Sequence, residues 1–289
     1  MQSTAVFWIR DGVLVDRMHV NPVAFAVAAL AYADPGIVEQ TNITALVNFA
    51  FETSGISFAA KMNRFNHEHM PLVNDVAGAA AYYNNLAGEA AVHCHYFNGA
   101  CALVRHLKEA GVYNFITSAV EQPVLDVWAH SRQGKKLAPH LTKVLGKRPN
   151  FEKGEQHFNH AREKYGVEKI YYVADAVAEI ENGAKFSNQL NITTVGFAHV
   201  ITAEKVRLAW KLVMDAQAKL GASTGPQGLK PVLVDEKQLA LTEHLLSLPD
   251  EGALTAMLKM ANASSVVGGN ADEIIGNLTN YFQTAGILP

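Results

Sequence analysis

Between residues 99 and 195 the chain alternates helix with short apolar strand, and this rhythm constrains its fold more than any other feature. Residues 100–110 are amphipathic and end at Gly111, a residue suited to the left-handed cap of a helix. Residues 112–116 follow as an apolar strand with Thr117-Ser118 at its end. Then come a helix over 122–131, a basic, Pro-containing loop over 134–149, and a helix over 155–165. A strand at 170–174, a helix over 177–186 and a strand at 192–195 complete the series. Strands that are apolar without alternation are buried on both faces, as in a parallel sheet covered by helices. The pattern predicts a doubly wound parallel α/β core whose site lies at the carboxyl ends of the strands.

A further apolar run at residues 5–9 (AVFWI) reads as a strand and ends in Arg10-Asp11-Gly12, where glycine permits a sharp turn. From 16 to 91 the pattern is helix and loop. Asn21-Pro22 reads as the start of an Ala-rich helix over 23–33, stopped by Asp34-Pro35-Gly36. Further helices are expected at 44–51, 58–65 and 75–86, with Phe58, Met62, Phe65 and the Tyr82-Tyr83 pair in their core. Residues 1–16 and 96–221 therefore form the α/β core, with a helical cap over 17–95. A helix over 202–220 carries Glu204 in its first turn, well placed for the helix dipole. Residues 221–231 (GASTGPQGLKP) read as a linker. The rest of 222–289 reads as a helical C-terminal extension with helices at 236–246, 251–261 and 271–282. Its stripes Leu241, Leu245, Leu248 and Ile274, Ile275, Leu278, Phe282 either pack back on the domain or make a homodimer contact.

With 289 residues the chain can bury a full core and a second module, and its net charge of −3 is spread without a recurring basic face. Nucleic-acid binding is not expected. Cys94 and Cys101 make no disulfide framework, the N-terminus lacks a long apolar leader, and apolar stretches stop short of a membrane span. A cytoplasmic protein without a membrane partner is the expectation.

Four strand-end segments stand in a familiar order: residues 7–16 (FWIRDGVLVD), residues 115–117 (FIT), Lys153 before a helix, and residues 171–179 (YYVADAVAE). Phe97-Asn98-Gly99 and Asn182-Gly183-Ala184 supply matching context. Together these resemble the haloacid dehalogenase-like (HAD) phosphohydrolase superfamily, in its capped phosphatase and phosphoglucomutase-like branch, over residues 5–200. In that family a carboxylate attacks phosphorus. A second aspartate serves as acid and base, a hydroxyl and a lysine clamp the transferring oxygens, and Mg²⁺ neutralises charge. The resemblance implies Asp11 as acid/base, Thr117 and Lys153 as the clamp, and Asp11, Asp175 and Glu179 around the metal. Arg10, Gly12 and Ser118 are expected beside the ligand.

The nucleophile position falls on Ile9, which can neither attack phosphorus nor ligate a hard cation. Sliding the register to make Asp11 the nucleophile would put Val13 where the acid belongs. Standard aspartyl-phosphate catalysis is therefore not expected, and Mg²⁺ binding is expected to be weakened. The implied function is a degenerate HAD protein that binds a small anionic or phosphorylated metabolite, or a partner, without phosphoryl transfer. A phosphatase working through Asp11 and a scaffold using the C-terminal helices are the alternatives. Lys147 competes with Lys153 for the clamp, since Gly154 stands where the family usually has proline. Thr117 could instead be a simple helix cap, since Ser118 and Glu121 suit a capping box. The His93-Cys94-His95 cluster near Cys101 and the His67-Glu68-His69 stretch invite a metal reading, although neither completes a four-ligand set.

Overall fold

The computed structural model describes residues 3–38, 42–223, 232 and 246–289. Tertiary contacts divide the chain into two units. One comprises Met1–Asp16, His95–Val200 and Pro249–Pro289, and the other Arg17–Cys94 and Ile201–Leu248.

The first unit is built on six parallel strands: β1 (Thr4–Trp8), β2 (Tyr113–Glu121), β3 (Lys143–Lys147), β4 (Lys169–Ala174), β5 (Ile192–His199) and β6 (Ser265–Gly269), in the order β3-β2-β1-β4-β5-β6. The expected doubly wound α/β sheet is present. β1 lies near its centre, so its side chains are buried on both faces. Phe7 stacks on Phe115 at 4.8 Å and meets the edge of Phe158 at 5.0 Å on one face. Trp8 points to the other, where it meets the edge of Phe282 at 5.9 Å. Its indole N–H donates to buried Asn114 Oδ1 at 3.0 Å, which satisfies the polar atom of an otherwise apolar anchor. Each such ring contributes about 1.5–3 kcal/mol through burial.

Two strands were not legible as strands. β3 lies inside the stretch expected to be a basic loop, because lysines at both ends leave only Val-Leu-Gly between them. Leu145 is nonetheless fully buried. A Cβ on Gly146 would come within 2.8 Å of the Val120 carbonyl oxygen, so only glycine permits the sheet to close there. β6 lies in the expected helical extension and is rich in glycine, which lowers the strand signal. Residues Ile274–Thr284 form a helix whose Ile274, Ile275, Leu278 and Phe282 are buried in the core. The C-terminal segment therefore completes the sheet and covers one face, and the apolar stripe packs back on the domain.

The second unit is helical among the described residues: Val20–Ala31, Pro35–Val38, Ile43–Glu52, Phe58–Glu68, Val76–Ala91 and Ala203–Ser223. Val20–Ala31 is buried nearly all round, and its alanines let the neighbouring helices approach closely. It starts earlier than Asn21-Pro22 suggests, so those two residues lie inside its first turn. Asn42, Ser57 and Asp75 accept backbone N–H bonds at the starts of the next three long helices. Phe25, Phe49, Phe58 and Phe65 form a ring cluster between them. Lys61 is buried at this cluster, its Nζ donating to the Ala50 carbonyl at 3.0 Å, and burial lowers its pKa to about 8. Helix Ala203–Ser223, expected in the α/β core, groups with these helices instead. The expected helix over 236–246, its Leu241 and Leu245, and most of the 221–231 linker lie outside the described residues.

Candidate functional site

Register places the site. Trp8 pairs with Ile116 on one side and with Val173 on the other. One residue on, Ile9 lies level with Thr117 and Ala174, its N–H donating to the Val173 carbonyl at 3.2 Å. Ile9 is 7% exposed. The chain then turns tightly: Leu14 and Val15 N–H both bond to the Arg10 carbonyl, and Gly12 N–H donates to Val15 O at 2.9 Å. Gly12 has φ +97°, a conformation that side-chain-bearing residues rarely adopt. Its backbone donor is thus spent inside the turn.

Arg10 and Asp11 form a fork, Nε to Oδ1 and Nη2 to Oδ2, each at 2.8 Å. Their side chains are only 11% and 22% exposed, so solvent screens the pair weakly. The guanidinium also lies over Trp128, 5.0 Å from the ring centroid. Burial alone would depress its pKa, but the Asp11 charge and hydrogen bonds, with Tyr96 adding, hold it above the ordinary arginine value.

The clamp residues are also internally engaged. β2 runs past Thr117 to Glu121, with an irregular register between them, so Thr117 is inside the strand rather than at its end. Its hydroxyl shares a 2.7 Å hydrogen bond with Nδ1 of fully buried His157. Burial pushes the His157 imidazole down to about 4; the Gly146 backbone opposes this, and the charges of Lys153 and Arg148 reinforce it. Ser118 is half-buried and its oxygen accepts the Val120 N–H at 3.1 Å, leaving its O–H to donate. The alternative, a capping box of Ser118 with Glu121, is absent, since the next helix begins at Gln122 without a side-chain cap.

Lys153 forms an ion pair with Glu179, both side chains mostly buried. Lys147 instead meets Glu152 at 3.6 Å on the surface, which separates the two rivals. The backbone explains the glycine after Lys153: Gly154 has φ +107°, which proline cannot adopt, and Asn182 packs where a Cβ would stand. Asp175 follows β4. Burial, then the Glu179 charge, holds its carboxyl well above the usual carboxylate range, while its own backbone and Lys153 oppose and Asp11 adds. Tyr172 Oη and Glu179 Oε2 are buried without a hydrogen-bond partner among the described residues.

These residues do not fit Mg²⁺. The Ile9 side chain offers no oxygen, both Asp11 oxygens face a guanidinium, Glu179 Oε1 is held by Lys153, and burial with the Glu179 charge favours the neutral form of Asp175. Among the described residues no group of three His, Cys, Asp or Glu side chains is placed to hold a metal, and this includes the His93-Cys94-His95 and His67-Glu68-His69 stretches. His157 and Trp128 are the site residues that sequence reading passed over. His157 carries a faint signal, since it shares the buried face of its helix with Phe158 and Ala161.

The fold is that of HAD-family hydrolases. A hydrolase from Pseudomonas syringae superposes with a TM-score of 0.57 at 13% identity, over 97% of this chain and 99% of the other. A HAD family hydrolase from Deinococcus radiodurans R1, with bound phosphate and sodium, gives 0.52 at 16% identity over 98% and 96%. A predicted phosphoglycolate phosphatase from Haemophilus somnus 129PT gives 0.50 at 13% identity over 68% and 86%. No protein-family model matches the sequence, and no curated protein matches it. No helix among the described residues is long and apolar enough to cross a membrane.

Proposed function

We propose that this chain is a HAD-fold protein that binds a small anion without transferring a phosphoryl group. The Arg10–Asp11 fork carries the reading. A carboxylate gripped at both oxygens by a charged guanidinium is a poor proton donor and acceptor, because each proton transfer must first break the pair. With Ile9 beside it, positions 9 and 11 offer neither a nucleophile for phosphorus nor an unpaired acid/base. Donors for an anion remain. Of the five guanidinium N–H groups, two go to Asp11 and the rest have no acceptor among the described residues. Ser118 adds an O–H. The phosphate in the Deinococcus radiodurans hydrolase supports an anion of that kind.

The test has two arms: a screen of phosphate esters with Mg²⁺ on the wild type and Asp11→Asn, and a thermal-shift series with orthophosphate and small organic acids. The expected result is no turnover above background and a higher melting temperature with an anion, since a ligand that binds only the folded state must stabilise it. Turnover abolished by Asp11→Asn would restore the phosphatase reading. The scaffold reading gains nothing from residues Ile274–Thr284, whose apolar stripe is buried in the core.

A further inference from the structure

We propose that Arg10 is a resident cation that occupies the electrostatic place of a divalent metal, so that the site accepts its anion without metal and rejects Mg²⁺. The inference rests on the anion-binding reading above for its ligand, but not for the exclusion of metal.

Two neighbouring residues bear on the same charge balance. Ile9 removes one negative charge from the strand end, and Arg10 supplies one positive charge to the remaining Asp11 carboxylate. The pair is neutral and bidentate, its two bonds each 2.8 Å. An approaching divalent ion would have to displace a fork that uses both Asp11 oxygens and would be repelled by the guanidinium at close range. Lys153 blocks the other route, since its ammonium is paired with Glu179.

The guanidinium is held where it can act. The Trp128 ring lies 5.0 Å from it, and the fork to Asp11 fixes the plane of the group. A planar guanidinium fixed along one edge presents its remaining N–H groups in a set direction, the arrangement that recognises phosphate or carboxylate oxygens. Preorganised in this way, Arg10 provides without metal the positive charge that an anion requires, although not the ligand exchange or nucleophile activation of a metal.

The experiment uses the full chain and three titrations. Mn²⁺ alone, followed by electron paramagnetic resonance, reads metal binding whether or not any anion binds. Orthophosphate is then titrated calorimetrically in EDTA and again in excess Mg²⁺. Wild type is expected to leave Mn²⁺ free and to bind phosphate equally in both conditions. Arg10→Met is expected to weaken phosphate by about 10- to 100-fold, the loss of a charge-assisted hydrogen bond. Arg10→Lys keeps the charge and should retain part of the affinity, which separates charge from folding. In the double variant Ile9→Asp, Arg10→Met, two carboxylates without a cation should gain Mn²⁺ affinity by at least about tenfold.

Mn²⁺ binding by the wild type that Asp11→Asn removes, or phosphate binding that requires Mg²⁺, overturns the resident cation and leaves the anion-binding function standing. Failure of phosphate and small organic acids to bind in either condition sinks the anion-binding function. The Mn²⁺ titration then still decides whether the site excludes metal.

Discussion

Replacing His157 by Gln tests the most buried polar contact of the site. His157 is fully buried, bonded to Thr117, and has its pKa lowered from 6.5 to about 4. Between those two pH values the unfolded chain takes up a proton on this side chain and the folded chain does not. The stability contributed by a neutral, buried His157 is therefore fully present above about pH 6.5, is lost as the pH falls, and reaches its minimum near the folded value. The size of that loss is about 3 kcal/mol across the interval. Gln keeps a hydrogen-bonding group for Thr117 but does not titrate. Any constant difference between the variants drops out when each is measured at several pH values. Urea denaturation of both proteins at pH 7, 6, 5 and 4 should show the wild type losing about 3 kcal/mol more than His157→Gln over the range. Proton NMR of the His157 ring should show no titration above about pH 5. A gap that stays constant with pH, or a ring that titrates near its ordinary value, would refute the claim that this imidazole is locked neutral inside the core.

Asp175→Asn is expected to stabilise the fold at neutral pH, because the native carboxyl stays protonated where the unfolded one ionises. The gain should grow as the pH rises above about 4, as read by urea midpoints at pH 5 and 7. Gly154→Ala should cost about 1–3 kcal/mol, since φ is +107° and the new Cβ would lie 2.7 Å from Asn182 Nδ2. Adding Asn182→Ala should not recover all of it, because the backbone strain remains; full recovery would make the clash the whole cause. Phe282→Ala should destabilise by about 3–5 kcal/mol in calorimetry, as the ring is fully buried against Trp8 and Tyr171. Lys61→Met should raise stability at pH 7 by up to about 3 kcal/mol, a gain that fades as the pH passes from about 8 toward the unfolded lysine value.

Local pattern was enough to read β1, β2, β4 and β5, because each is a short, mostly apolar run without the alternation of a one-sided strand. The order of strand-end residues was likewise legible, down to hydrocarbon at position 9 and glycine at position 12. Sequence did not reveal β3 or β6, whose glycines and lysines lower strand propensity while the surrounding helices demand it. The apolar stripe at 274–282 was legible as one that packs back on the domain or meets a second copy, and the structure buries it in the core.

The partners of the site side chains were decided by the tertiary structure alone. Arg10 and Asp11 are neighbours in sequence, and strict alternation would send them to opposite faces. The turn at Gly12 relaxes that rule and lets the guanidinium reach its neighbour's carboxylate. Thr117 meets His157 across 40 residues, and Lys153 meets Glu179 across 26. Residue types and their order along the chain are local properties, and they sufficed to raise the expectation that the strand ends lack a nucleophile. Which charge neutralises which depends on distances set only when strands and helices pack, and those distances make this an occupied, self-paired site.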